Sequence, residues 1–408
     1  MINRRQLLSL PGTALLASSP RKKVAAVITE YRRNSHADVR MPKVLEGYHY
    51  NGAWHDPRLR VVSMYVDQFP DKDLSREVAR KHNVSIFPSV GEALRSGGKT
   101  LAVDGVMFIG EHGNYPENEK GQKLYPRYRL YKQIVETFRD SGRSVPVFHD
   151  KHFSVDWKEA KWMFDQSREL KFTLLAGSSY PLTWRVPALE FALQTPVETA
   201  VIVGSGPKES YGFHLLEGLQ CMVERRAGGE TGIAAVQCIE GEAVWRWTDD
   251  HVWAAQLLDT ALAQAEDKRP GSARENAKQP IAFVLEYTSG LRAAVFILNG
   301  HLTDRAFAAR VQGQRKPAVT RFVYQNGRPW GHSTGQVYFF EEMVLTGRAA
   351  YPAERTLLVT GALAALMDSS FRKGARLETP HLRVAYRAPE QSVFNQGPMP
   401  PLAKPEGS

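Results

Sequence analysis

Five groups of polar residues in this chain have the types and spacing that proton transfer and ligand binding require. Thr29-Glu30, Asp67, Glu111-His112-Asn114 and His149-Asp150-Lys151-His152 each close an apolar run of strand character. The fifth is His214, three residues before Glu217 in "SYGFHLLEGL". A histidine exchanges a proton near neutral pH, and one helical turn from a carboxylate the two share a face. A lysine at a strand end inside a cleft bonds substrate hydroxyls and supplies positive charge where negative charge develops. In a doubly wound sheet, an acid closing the second strand, as Asp67 does, is placed to bond a ribose hydroxyl. Each residue also has a plain structural use: Asp67 as a turn or cap, Lys151 as a solvated lysine starting a helix, His214 packing a first helical turn. His149 and His152 lie three apart on a strand-to-loop segment and need not face the same way, and Cys221 and Cys238 fit no metal spacing. No metal site is expected.

These groups need elements to hold them. Val24 to Ile28 reads as a buried strand and Ser35 to Glu46 as a helix, followed by a polar insert, "YHYNGAWHDPRLR". Val61 to Asp67, Val103 to Ile109, "VPVFHDKHF" and "FTLLAGSS" are further strands. Between them lie helical patterns such as "RYRLYKQIVETFRDSG" and "DWKEAKWMFDQSREL". Strands alternating with helices predict βαβ units and a doubly wound parallel sheet ending near Pro181. In the second half, strand-like runs succeed one another, with hairpin chemistry at "YTSGLR" and "YQNGRP". Helices at Gly212 to Arg225, His251 to Ala265 and Thr356 to Phe371 interrupt them. This predicts an α+β domain with a mostly antiparallel sheet. The expected organisation is a leader over 1–20, an α/β domain over 21–182, an α+β domain over 183–388 and a disordered Pro-rich tail over 389–408.

The chain has 408 residues, 43% of them hydrophobic, enough for a substantial core in about two domains. Its formal charge is +10, but Lys and Arg are scattered and no nucleic-acid motif occurs, so a solvated basic surface is expected and no nucleic-acid partner. No apolar run is long enough to span a bilayer, so the chain is not expected to be an integral membrane protein. "MINRRQLLSLPGTALLASSP" places Arg4-Arg5 before a short apolar run and small residues, the order of a twin-arginine signal. That predicts export to a periplasm; the alternative is a frayed N-terminus on a cytoplasmic protein.

Several segments together resemble the Gfo/Idh/MocA oxidoreductases, the glucose-fructose oxidoreductase and inositol dehydrogenase group. "VPVFHDKHFSVDWKEAKWMFDQSRELKFTLLAGSS" is similar to the block in which a Glu-Lys-Pro motif closes a strand. Lys151 falls on the family's lysine, with Asp150 for its glutamate and His152 for its proline. "VDGVMFIGEHGNYP" resembles the strand that ends at the nicotinamide, and His214 in "SYGFHLLEGL" falls on the active-site histidine, with Ser210 where many members carry an aspartate. The resemblance covers about Val24 to Tyr386. It implies a Rossmann domain followed by an α/β domain with an open-faced sheet. It also implies NAD- or NADP-dependent hydride transfer on a sugar, cyclitol or related polyol. Lys151 and His214 become the catalytic residues, and Lys151, His214 and Glu217 the substrate ligands. Thr29, Glu30, Arg32, Arg33, Asp67, Glu111, His112, Asn114 and Asp150 become cofactor ligands. Homo-oligomers through the open face of the second sheet are a further implication.

One departure stands out. Thr29, Tyr31 and Asn34 occupy the places of the three glycines of GxGxxG. Those glycines allow the tight turn and the close approach to pyrophosphate. Tyr31 is expected to block that seat with its ring, while Arg32 and Arg33 supply two guanidinium groups for a pyrophosphate or a 2′-phosphate. Two readings stay open. One is an oxidoreductase with an altered cofactor seat. The other is a homologue without redox activity that binds carbohydrate or a partner, or performs redox-neutral sugar chemistry.

Overall fold

A computed structural model describes residues 20–403 of the chain; the expected leader lies outside the described residues. The first unit runs β1 (Lys22–Glu30), α1 (His36–Glu46), the hairpin β2 (Tyr48–Tyr50) and β3 (Ala53–His55), then β4 (Leu59–Gln68), α2 (Ser75–His82), β5 (Ser85–Phe87) and α3 (Val90–Arg95). It continues with β6 (Gly105–Ile109), α4 (Arg127–Asp140), β7 (Val147–Asp150), α5 (Trp157–Glu169) and β8 (Leu174–Gly177). Six strands pair in the order β5-β4-β1-β6-β7-β8, all parallel. That is the doubly wound order of dinucleotide-binding sheets, with its crevice outside the carboxyl ends of β1 and β6.

The strands are apolar on both faces because both faces are covered. Val24, Ala26 and Ile28 point to one core cluster and Ala25 and Val27 to the opposite one. Ser35 caps α1 by accepting from the Asp38 amide, which fixes where the chain leaves the sheet.

The second unit contains β9 (Arg185–Val186), β10 (Val197–Gly204), α6 (Ser210–Val223), β11 (Ile233–Glu240), α7 (Glu242–Asp250), α8 (Val252–Gln264) and α9 (Ala273–Asn276). After these come β12 (Ile281–Tyr287), β13 (Arg292–Ile297), β14 (Ala306–Val311), β15 (Ala318–Phe322), α10 (Thr334–Thr346), α11 (Glu354–Phe371) and β16 (Leu377–Glu378). Eight strands form one sheet, β16-β11-β12-β13-β10-β14-β15-β9, antiparallel except for the parallel pair β10–β13. The doubly wound sheet followed by a mostly antiparallel one matches the sequence reading. No helix of the described residues is long and apolar enough to cross a membrane.

Three features differ from expectation. The second sheet is not open-faced: Val201, Val203, Phe296 and Ala308 share a core with Trp245 of α7 and with Leu257, Leu258 and Ala261 of α8. The apolar stripe that the strands offered to a second copy is thus covered by the same chain. Next, α10 returns to the first sheet, where Val337, Phe340 and Met343 pack with Ile28, Met107 and Phe148. Finally, the described part of the Pro-rich tail is tied down. Asn395 N–H donates to the Leu182 carbonyl at 3.0 Å, Trp184 Nε1 to the Gly397 carbonyl at 2.7 Å and Gln325 Nε2 to the Pro400 carbonyl at 2.6 Å. The tail's low apolar content predicts disorder only while its carbonyls lack partners, and the body supplies them.

Candidate active site

The carboxyl ends of β1, β6 and β7 face α6 and the segment that precedes α10 across a cleft of about 680 Å³. His36, Arg40, Glu111, His112 and Lys151 line it from the first unit. Tyr211, His214, Tyr324 and Trp330 line it from the second.

Lys151 follows β7 directly and takes a left-handed backbone, φ 73°. Such a conformation in a non-glycine residue costs about 1–3 kcal/mol and persists where the surrounding structure over-determines it. His112, at the end of β6, takes the same conformation, φ 75°. The Lys151 ammonium is buried, 3.2 Å from Glu111 Oε1, and donates to the Ser210 carbonyl at 3.1 Å. Glu111 also meets Arg127 Nη2 through Oε2 at 3.1 Å. Burial alone would raise the Glu111 carboxyl, but the neighbouring Lys151 and Arg127 charges hold it well below the usual range. Ser210 thus contributes its backbone carbonyl to the lysine.

His214 sits one turn into α6 with Nδ1 2.5 Å from Ser178 Oγ. That hydroxyl accepts from the Tyr180 amide at 3.0 Å, and Nδ1 is the acceptor the described residues offer its own hydrogen, which assigns that hydrogen to Nδ1. Burial, reinforced by Lys151, pushes the imidazole well below its ordinary pKa. The ring is therefore neutral, Nδ1 is an acceptor, and Nε2 carries the hydrogen. The Tyr180 ring stacks on it at 4.9 Å and 18°, fixing its plane.

Sequence reasoning missed His36 and Arg40. His36 is the first residue of α1, and its Nδ1 lies 2.5 Å from Asp150 Oδ2. Arg40 Nη2, one turn on, lies 2.8 Å from Asp150 Oδ1 and also donates to Gln336 Oε1 at 2.8 Å. Gln336 Nε2 in turn donates to the Gly177 carbonyl at 2.9 Å, which anchors the brace to the end of β8. Burial would raise the Asp150 carboxyl, yet the Arg40 charge and the hydrogen bond from His36 hold it well below its usual value. The available signal was topological: the first residue of the helix after β1 must face the crevice at the strand ends.

His36, Glu111 and Asp150 each bring one ligand atom to within 4.8 Å of the others, a spacing a metal ion would accept. Both carboxylates are already neutralised, Asp150 by Arg40 and Glu111 by Arg127 and Lys151. Three cations around two carboxylates oppose a further divalent charge, and the geometry is that of an internal ion-pair network.

The other end of the crevice, over β4 and the β1–α1 turn, is built differently. A dinucleotide in this fold needs a close backbone approach for its pyrophosphate and a free acid for its ribose. Asp67 is not free. It accepts from Tyr65 at 2.6 Å, Tyr115 at 2.8 Å and Arg129 at 2.8 Å, which together hold its carboxyl below the ordinary value against partial burial. The chain after β6 folds back over β4, where the Asn114 amide donates to Gln68 Oε1 at 2.8 Å and Gln68 Nε2 to the Asn114 carbonyl at 3.0 Å. Gly113, φ 119°, permits this reversal, since a Cβ there would collide with the Tyr115 ring. At the start of α1 the Asp38 carboxylate accepts from the Asn34 amide at 2.8 Å and from Arg328 at 2.9 Å, so the helix's own acid holds the place of an anion. As these residues stand, they do not fit a nicotinamide dinucleotide in its extended pose.

Of the expected site residues, Glu111, His112, Lys151 and His214 line the cleft, and Asp150 lies at its floor behind His36. Thr29 is buried and donates to the Glu111 carbonyl at 2.8 Å, tying the ends of β1 and β6 together. Glu30 pairs with Arg32 at 2.5 Å, and Arg33 is exposed beside it, its carbonyl accepting from Arg32 Nη1 at 3.3 Å. Asp67 and Asn114 belong to the filled end. Glu217 does not reach the cleft. It is fully buried behind β8, where Thr356 donates to it at 2.8 Å, because α11 covers that side of α6. Tyr31 does not block a phosphate seat with its ring. It is fully buried in the core with Ile28, Ala37, Met41 and Met64.

No family model matches the sequence, and no curated protein does. Solved structures match it by shape. GenD2 from gentamicin A biosynthesis, in complex with NAD, is 14% identical, with a TM-score of 0.56 over 88% of this chain and 97% of that one. A probable dehydrogenase from Thermotoga maritima is 11% identical, with a TM-score of 0.54 over 88% and 99%. A myo-inositol dehydrogenase from Lactobacillus casei, solved with NAD(H) and myo-inositol, is 12% identical, with a TM-score of 0.53 over 88% and 97%. The chain therefore shares the two-domain fold of these solved structures, the fold implied by its resemblance to the Gfo/Idh/MocA oxidoreductases except that its second sheet is covered.

Proposed function

We propose that this chain is an enzyme acting on a small polyhydroxylated molecule, a sugar, cyclitol or related polyol, in the cleft between its two units. The observation that carries this reading is the pair at the cleft floor: a buried Lys151 ammonium in a left-handed backbone, and a neutral His214 whose Nδ1 is taken by Ser178. A substrate oxygen held between them meets a positive charge and an N–H donor, the requirement for a carbinol or carbonyl oxygen that gains charge as it reacts. Tyr324 and Trp330 line the cleft wall and add aromatic surface beside the pair.

Two chemistries fit that pair. The fold, and the places of Asp67, Lys151 and His214 along the chain, favour oxidation or reduction of a carbinol with NAD or NADP. For that reading, the segment after β6 has to lift from Asp67 before the dinucleotide can lie across β4. The closure of that end by Tyr115 and Arg129 favours redox-neutral chemistry on the substrate alone.

Calorimetric titration of the mature chain with polyols, inososes and ketohexoses tests the common part. Binding that weakens at least tenfold in Lys151→Ala is expected; the absence of binding to any member of the panel would refute the reading.

A further inference from the structure

We infer that His36 and Asp150 form the general base of a redox-neutral proton transfer in this cleft, acting on the carbon beside the carbonyl of a keto-sugar or cyclitol ketone. The inference rests on the reading above, that the cleft takes a polyhydroxylated substrate.

His36 lines the cleft with its side chain 20% exposed, while Asp150 behind it is 1% exposed. The Asp150 carboxylate is ionised, since Arg40 holds its other oxygen at 2.8 Å. It therefore accepts the Nδ1 hydrogen of His36 across 2.5 Å, so the neutral form of the ring, the form that acts as base, carries its lone pair on Nε2. A carboxylate behind Nδ1 orients the ring and stabilises the imidazolium that forms when Nε2 takes a proton. The brace from Arg40 through Gln336 to the Gly177 carbonyl fixes the dyad to the sheet, so its direction is preset.

The two cleft histidines are thus set to opposite tasks. His36 presents a lone pair because a carboxylate takes its Nδ1 hydrogen. His214 presents an N–H because a hydroxyl gives its hydrogen to Nδ1. With the Lys151 ammonium between the units, base, donor and counter-charge are all supplied by this chain. The step balances without a cofactor. His36 Nε2 accepts the proton from the α-carbon, and the C–H electron pair becomes the C=C bond of an enediolate. The carbonyl π pair moves to oxygen, where His214 Nε2–H and Lys151 hold the charge. Return of a proton from the His36 imidazolium to that carbon restores the carbonyl, and where the imidazolium has first exchanged its proton with solvent the carbon carries the solvent's hydrogen isotope. Nothing is oxidised or reduced overall.

The test is deuterium wash-in by the mature full-length chain in D₂O with no nicotinamide added, using an inosose and a ketohexose and following loss of the α-C–H proton resonance. The account expects exchange well above background for at least one ketone, lowered about 10²-fold or more in His36→Gln, with calorimetric affinity for that ketone within about threefold of wild type. Full exchange in His36→Gln would overturn the assignment of the base. Exchange that appears only after NAD or NADP is added would overturn the redox-neutral step. Ketone binding without exchange would also overturn the inference while leaving the cleft's ligand class intact. Absence of binding would remove that reading and the inference with it.

Discussion

The crevice of this molecule has two ends built from the same materials on the same sheet. Over β6 and β7 the acids and cations are also paired, but Lys151, His36 and His214 line a cleft of about 680 Å³. Over β4, an acid and a cation of the same kinds are spent on each other, with Asp67 held by Arg129 and two tyrosines and the Asn114 backbone laid across the strand end. The difference teaches that residue type and strand position do not make a binding site. Availability does. Asp67 has the identity and place of a ribose ligand and no free lone pair directed outward, whereas His36 lacks any motif and has its carboxylate partner, its exposure and its anchor in place.

The strongest way to break this contrast is at its working end. His214→Ala removes the N–H donor and should lower turnover about 10²–10⁴-fold in steady-state assays with a substrate found by the binding screen. Its melting temperature should stay close to wild type, because the ring contributes stacking on Tyr180 and one hydrogen bond. A collapse in stability with turnover per folded molecule unchanged would make His214 structural.

Tyr31→Ala distinguishes core from seat. With the ring in the core, the substitution should cost about 3–5 kcal/mol by urea unfolding and leave nucleotide affinity unimproved. A gain in NAD(P) affinity with little loss of stability would return Tyr31 to the phosphate seat.

Tyr115→Phe sharpens the closed end. Removing one hydrogen bond to an ionised Asp67 loosens the segment by about 1.5–3 kcal/mol, so any dinucleotide affinity should rise about tenfold or more by NADH fluorescence titration. Unchanged affinity would show that the segment is not what governs that end.

The smallest effect belongs to Glu217, behind the cleft. Burial pushes its carboxyl up from 4.5 to about 7. The folded chain then keeps a proton that the unfolded chain releases above its ordinary value. This contribution to stability is full below about pH 4.5 and is lost as the pH rises to about 7. Glu217→Gln should flatten that part of the stability–pH curve measured by urea unfolding; an unchanged slope would place the titration elsewhere.

The first sheet was legible because buried parallel strands print continuous apolar runs, as Val24 to Ile28 does, separated by helices with a 3.6-residue period. Lys151 and His214 were legible by motif and by their place at a strand end and a helix start. The His36–Asp150 pair was not, because its members lie 114 positions apart and meet only through the order of the strands. Nor was the loss of Asp67 to Tyr115 legible, since the long segment after Glu111 has no period from which its path over β4 could be read. The inward turn of Tyr31 and the covering of the second sheet by α7 and α8 are tertiary choices that local pattern leaves undetermined.

The most direct test of the contrast between the two ends is one titration series on the purified chain. The protein is first denatured to look for released nicotinamide by absorbance and mass, and the native sample is then titrated with NADH, NADPH and a panel of inososes and ketohexoses. The account predicts no released nicotinamide, no dinucleotide binding in the micromolar range, and binding of at least one ketone. Bound or tightly titrating nicotinamide would contradict it, showing that the end over β4 opens and that the cleft works by hydride transfer.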